Sequence, residues 1–238
     1  MRTLRARSGP FAEQPFYKLS DIESICVNEL GKVELFPTSP SPIRIDRFIE
    51  KRFLIQPTYA KLPPGLLGFT RFGSKGVEEI MVSQSFDDEG TKPAERRLRT
   101  TLAHEGGHGL LHAHLFVLGN RPDSLFAGGL APDEPKILCR EGGVSGGGED
   151  LKKKPTYTWW EFQANQAMGA LLLPQSLVAQ ALEPMVELRG MLGMAVLPLR
   201  NREPSIRLIS DTFNVNPIVA KIRLEALYPP SAEQQLTL

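Results

Sequence analysis

All four histidines of this 238-residue chain, His104, His108, His112 and His114, fall within eleven positions, and the first two frame His104-Glu105-Gly106-Gly107-His108. Side chains four apart lie close together on one face, a turn apart, when the chain is an α-helix. If the two histidines act together, this segment must be helical, and the face they share must meet another part of the protein. Helix signals flank it. Thr91 is placed to cap and Pro93 falls in the first turn, where its missing N–H does no harm. Gly119 and Asn120 follow Leu118 as a stop, with Pro122 beyond. Leu111, Leu115 and Leu118 continue the stripe begun by the histidines, so the histidine face is also the buried face. Gly106, Gly107 and Gly109 each cost about 1 kcal/mol relative to alanine in a helix interior. Burial of the leucine stripe must offset this, and the glycines imply close approach by another backbone element.

The chemistry follows from the spacing. Two imidazoles one turn apart are able to bind one Zn²⁺, and Glu105, offset about 100° around the helix, faces the open coordination position. There it would take a proton from a water made acidic by the metal. His-Glu-x-x-His is the pattern of zinc peptidases. A catalytic zinc usually has three protein ligands, and three residues compete for the third place. His114 has the ten-residue spacing of metzincins, but Leu111 stands where that pattern needs glycine to turn the chain, so His114 points away. His112 lies some 12 Å from His104 along a helix rising 1.5 Å per residue, which suits a packing role or a contact behind the ligands. Glu161 belongs to a second helix, Trp159 to Leu173, ended by Pro174. It shares a face with Ala164, Asn165, Met168, Leu171 and Leu172, where an unpaired charge would be costly. Small residues Ala164, Ala167, Gly169 and Ala170 would let this helix approach the glycines of the first. Spacing alone leaves Glu161 open between a ligand and a solvated first-turn acid favoured by the helix dipole.

The segments Arg99-Thr100-Thr101-Leu102-Ala103-His104-Glu105-Gly106-Gly107-His108, then Leu110-Leu111-His112, then Glu161-Phe162-Gln163-Ala164-Asn165 and Leu171-Leu172-Leu173-Pro174, resemble the ImmA/IrrE family of metallopeptidases. Leu62 to Gly68, Ile80-Met81-Val82 and Ile137 to Arg140 also fit, so the likeness covers about residues 43–228. It implies that His104, His108 and Glu161 bind one zinc per chain and that Glu105 is the catalytic base. It further implies a protein substrate, a transcriptional repressor of the helix-turn-helix type cleaved in a stress or mobile-element response. Gly106 and Thr100 depart from the family's usual Leu and Phe, as do Gln166 and Met168 near its usual Phe and Ala. None of these departures removes a ligand, but Gly106 bears on the stiffness of the active-site helix.

The expected fold is α+β: a zincin-like core with the His-Glu-x-x-His helix, a second ligand helix and a small antiparallel sheet, followed by a C-terminal helical bundle. The expected divisions are an N-terminal extension and linker (1–42), the core (43–175) with a long loop (120–155), a helical subdomain (176–228) and a tail (229–238). Ser20 and Glu23 suggest a capping box for a first helix, Pro37 to Pro42 a linker, and Asp46 to Phe53 a second helix. Phe69 to Phe72 and Val77 to Ser83 fit an antiparallel strand pair. After Pro174, helices broken by Pro184 and Pro198 lead to a helix-turn-helix-like unit, Pro204 to Leu227. Only Lys221 and Arg223 mark its second helix, too few for a DNA reader, and a net charge of +1 leaves no strong nucleic-acid footprint. Cys26 and Cys139 are too few for a disulfide framework, no apolar run reaches the roughly 20 residues of a membrane span, and the expected compartment is the cytoplasm. His112, Tyr157 and Asn165 are the candidates for stabilising an oxyanion, although a packing role or a contact behind the ligands suits each of them better. The rival reading is a non-catalytic regulatory or toxin–antitoxin-type protein in which the metal is structural and the helix-turn-helix-like element does the work.

Overall fold

The computed structural model describes residues 2–5, 13–117, 136–140, 159–189 and 193–229. In chain order these form β1 (Arg2–Arg5), β2 (Glu13–Phe16), α1 (Leu19–Lys32), α2 (Ile45–Phe53), β3 (Thr58–Ala60), β4 (Leu66–Gly73), β5 (Gly76–Ser83), α3 (Ser85–Glu89), α4 (Lys92–Val117), β6 (Lys136–Arg140), α5 (Trp159–Leu172), α6 (Gln175–Leu182), β7 (Glu187–Arg189), β8 (Met194–Val196), α7 (Leu199–Thr212) and α8 (Pro217–Leu227). The class is α+β, as expected. The predicted leucine-to-asparagine stop after α4, Tyr157, the glycine run 142–148 and the lysines 152–154 lie outside the described residues.

α4 is the axis of the molecule. Thr91 caps it as predicted, its Oγ1 accepting from the Ala94 N–H at 3.3 Å. Residues 100 to 109 of this helix are buried on every side. It packs against α5, α2, β4 and β5. A helix covered all round belongs in the core rather than at the surface. The glycines show how it gets there. A Cβ on Gly107 would lie 3.0 Å from both the Ala164 carbonyl oxygen and the Ala167 Cβ of α5, and one on Gly109 would lie 2.7 Å from the Phe53 ring. Gly107 permits the close backbone approach that the sequence implied, whereas Gly109 makes room for the side chains of Phe53 and Val77. Gly106 is different: its Cβ would meet Ile49, Leu171 and Phe48 at an ordinary 3.9 Å.

The main sheet has the order β3-β5-β4-β6. β4 and β5 pair antiparallel, Phe69 opposite Met81 and Thr70 opposite Ile80, as the alternation predicted, with Ile80 and Val82 buried. β3 runs parallel to β5, so the sheet is mixed, not purely antiparallel. Residues 120–155 are not one continuous loop either, because β6 within them pairs with β4. Between α6 and α7 the chain forms the β7–β8 hairpin, where helices alone were expected.

One apolar cluster runs through the whole length of the sequence, taking Ile22, Cys26 and Leu30 from α1, Phe48 and Ile49 from α2, Leu171 and Leu172 from α5, and Ile209, Phe213 and Leu224 from the C-terminal helices and turn. Arg99 of α4 clamps the last of these segments. Its guanidinium donates to the carbonyls of Ile43, Phe213 and Asn214 at 2.9, 3.4 and 3.1 Å. Glu23 departs from its predicted capping role. α1 begins earlier, with the Lys18 N–H donating to the Asp21 carboxylate. Glu23 instead accepts from the Gln175 N–H at 2.6 Å and pairs with Arg223 of α8. α7 also begins before Pro204, which sits inside it. Among the described residues no helix is long and apolar enough to cross a membrane.

Candidate metal centre

The close contact of α4 with α5 sets the site. His104 and His108 occupy successive turns of α4 and both side chains are fully buried. Glu161 stands in the first turn of α5, where the helix N-terminus favours a carboxylate. The Nε2 atoms of the two histidines lie 3.0 Å apart. Glu161 Oε2 is 3.1 Å from His104 Nε2, and Oε1 is 3.4 Å from His108 Nε2. One ligand atom from each residue falls within 4.8 Å of the others, a geometry able to hold a metal ion. Sequence spacing left Glu161 open; the structure brings it onto both histidines.

The donor set suits a cation. Two imidazole nitrogens and a carboxylate meet in a space from which water is largely excluded, and their lone pairs need a positive charge between them. Ligand atoms about 2.0–2.2 Å from a tetrahedral zinc would stand roughly 3.3 Å apart, close to the separations found. The side chain of Glu161 retains 16% of its exposure while the histidines retain none, so the cluster opens to solvent on its α5 side.

Electrostatics tie the three residues together. For Glu161 burial alone would raise the carboxyl, but the imidazoles of His108 and His104 beside it outweigh that effect and hold the group well below the ordinary carboxylate range. For His104 burial again pulls the other way, lowering the imidazole. The hydrogen bond and charge of Glu161, the charge of Glu105 and the Asn165 contact together raise it. Burial dominates at His108 and lowers it, and lowers His112 much further, helped there by the charge of His108.

Glu105 follows His104 on α4 and is near enough for its charge to act on that imidazole. Its carboxylate is buried, and the Thr70 hydroxyl of β4 is 2.6 Å from Oε2 and 3.1 Å from the Glu105 carbonyl oxygen. Sequence reasoning did not single out Thr70. The available signal was a threonine on the inward face of a strand otherwise filled by aromatic and aliphatic side chains.

The remaining histidines do not join the cluster. His112 turns both ring nitrogens to other partners, Nδ1 to His108 Nδ1 at 3.0 Å and Nε2 to Gln163 Oε1 at 3.1 Å, and its ring packs edge-on against Trp159. His114 is only half buried. Asn165 Oδ1 accepts from His104 Nδ1 at 2.9 Å, which leaves the lone pair on Nε2 for a metal. His112 and Asn165, named above as oxyanion candidates, are thus engaged behind the ligands. Partners of this kind orient metal-binding imidazoles and raise their basicity.

No protein-family model matches this chain, and no curated protein does.

Proposed function

We propose that the chain is a zinc-dependent endopeptidase with a zincin-like core, in which His104, His108 and Glu161 hold the metal and Glu105 is the general base. The observation that carries this reading is the convergence of the two Nε2 atoms and the Glu161 carboxylate, with a second buried glutamate, Glu105, adjacent to His104 in the chain. When bound, zinc supplies Lewis acidity to a water and to a peptide carbonyl. The chain's own groups do the rest. Asn165 holds the His104 ring with its Nε2 toward the site. Thr70 fixes the Glu105 carboxylate through Oε2. Glu105 accepts a proton from the attacking water at its carboxylate and delivers it to the leaving amine nitrogen.

The peptide substrate, and specifically a helix-turn-helix repressor, is supported by the resemblance to ImmA/IrrE metallopeptidases rather than by the geometry. Against the regulatory alternative stands Arg223. One of two basic residues on α8, it is buried in an ion pair with Glu23 and does not face a nucleic acid.

Elemental analysis of the purified protein tests the ligand set. About one zinc per chain is expected, lost or much weakened in His108→Ala and Glu161→Ala. Glu105→Gln should keep the metal and lose roughly 10²–10⁴-fold in turnover, the usual worth of a general base. Full zinc retention without Glu161 would refute the ligand set, and undiminished cleavage by Glu105→Gln would refute the mechanism.

A further inference from the structure

Behind His108 runs a line of buried polar groups that ends on the main chain of a distant segment. His108 Nδ1 faces His112 Nδ1 at 3.0 Å, His112 Nε2 faces Gln163 Oε1 at 3.1 Å, and Gln163 Nε2 donates to the Pro15 carbonyl of β2 at 2.8 Å. His108, His112, Gln163 and Pro15 are all buried. Water therefore offers none of them a ready alternative partner, so each must find its hydrogen bond within the line.

The direction of every proton in this line is determined by its far end. A carbonyl oxygen only accepts, so the Gln163 amide must turn its NH₂ toward Pro15. Its oxygen then points at His112 Nε2, which must carry the hydrogen. A neutral imidazole has one N–H, so His112 Nδ1 holds a lone pair. That lone pair faces His108 Nδ1, which must therefore be the protonated nitrogen of its ring. The lone pair of His108 is left on Nε2, pointing at His104 and Glu161.

We infer that Gln163 and His112 are positioning residues that lock His108 in the Nδ1–H tautomer, and that the Pro15 carbonyl of the N-terminal strand sets the polarity of the whole line. The inference rests on the metal-site reading above and adds to it. The site is assembled from three segments, and the third, β2, acts without touching the metal. His104 is set in the same sense by a single residue, Asn165, whereas His108 needs a chain of two side chains and a carbonyl.

Nitrogen-15 NMR of histidine-labelled, metal-free wild-type protein reads the tautomers directly. His108 is expected as Nδ1–H and His112 as Nε2–H. The Gln163→Met variant, close in volume but without the amide, should lose the Nε2–H preference of His112 and the Nδ1–H preference of His108. In competition with a chromogenic chelator it should bind zinc ten- to a hundredfold more weakly, the usual effect of removing a group behind a metal ligand. A wild-type His108 in the Nε2–H form overturns the inference, as does a folded Gln163→Met with unchanged tautomers and zinc affinity. Because the tautomers are read without metal, they decide the relay even if the wild type takes up no zinc, a result that would count against the proposed function alone.

Discussion

Thr70 contributes a single hydroxyl, yet that hydroxyl reaches the buried Glu105 carboxylate from a strand 35 positions earlier in the chain. Hydrogen bonds to charged groups are worth about 1.5–3 kcal/mol. Thr70→Val keeps the shape and removes the donor. It should lower the unfolding free energy by that order and reduce turnover while zinc affinity stays near wild type, since Thr70 does not contact the ligand cluster. A parallel loss of zinc would place Thr70 in metal binding instead. Residues of this kind were hard to read from the sequence. The histidines announced themselves by spacing because their chemistry needs a fixed offset on one helix. Thr70 and Gln163 are brought to their partners only by tertiary packing, and a polar residue on an inward face does not by itself name the partner it meets. Glu161 lay between these cases: its helix and its face were legible, but what faced it was not.

At the scale of elements, the α4–α5 contact depends on unequal glycines. Gly107 meets backbone atoms of α5 across the contact, whereas Gly106 has room for a methyl group. Gly106→Ala should therefore stabilise the protein by about 0.5–1 kcal/mol through the ordinary helix preference for alanine. Gly107→Ala should destabilise it, because the Ala164 carbonyl is main chain and α5 must move to admit the new atom. The same shift would carry Glu161 away from the histidines. Thermal melts in chelator and zinc titration of both variants would separate the two effects; equal behaviour would mean that helix propensity alone governs both sites. α4, α5, α2 and the β4–β5 pair were predictable because each carries its own periodicity and caps. β3, β6, β7 and β8 are short; β3 and β6 are placed by partners remote in sequence, and β7 and β8 by pairing with each other, so local pattern gave little purchase on them.

On the scale of the whole molecule, the Glu23–Arg223 pair joins α1 to α8 across 200 positions, and Arg223 also donates to the Leu173 carbonyl at the end of α5. Removing one partner of such a pair strands the other charge, at about 3–5 kcal/mol when buried. Arg223→Leu should lower the unfolding midpoint substantially, and Glu23→Gln somewhat less because Glu23 is the more exposed of the two. If Arg223→Leu instead left stability unchanged and abolished binding to a nucleic acid, α8 would be a reader after all. The sequence suggested a separable helical unit at this end. Its short turn and the Asn216 cap on α8, which accepts from the Ile218 N–H at 3.0 Å, were legible, but its burial in the common core was not.

The separation of the ligands along the chain also has a consequence in time. Ribosomes add roughly 5–20 residues per second, so on the order of several seconds pass between the synthesis of His108 and that of Glu161. During that interval the nascent polypeptide offers two imidazoles and no carboxylate from α5. A complete set of donors exists only once α5 has been made and has docked against Gly107, so the proposed metal loading would be an event of late folding, sensitive to the ions available after the chain has closed around α4.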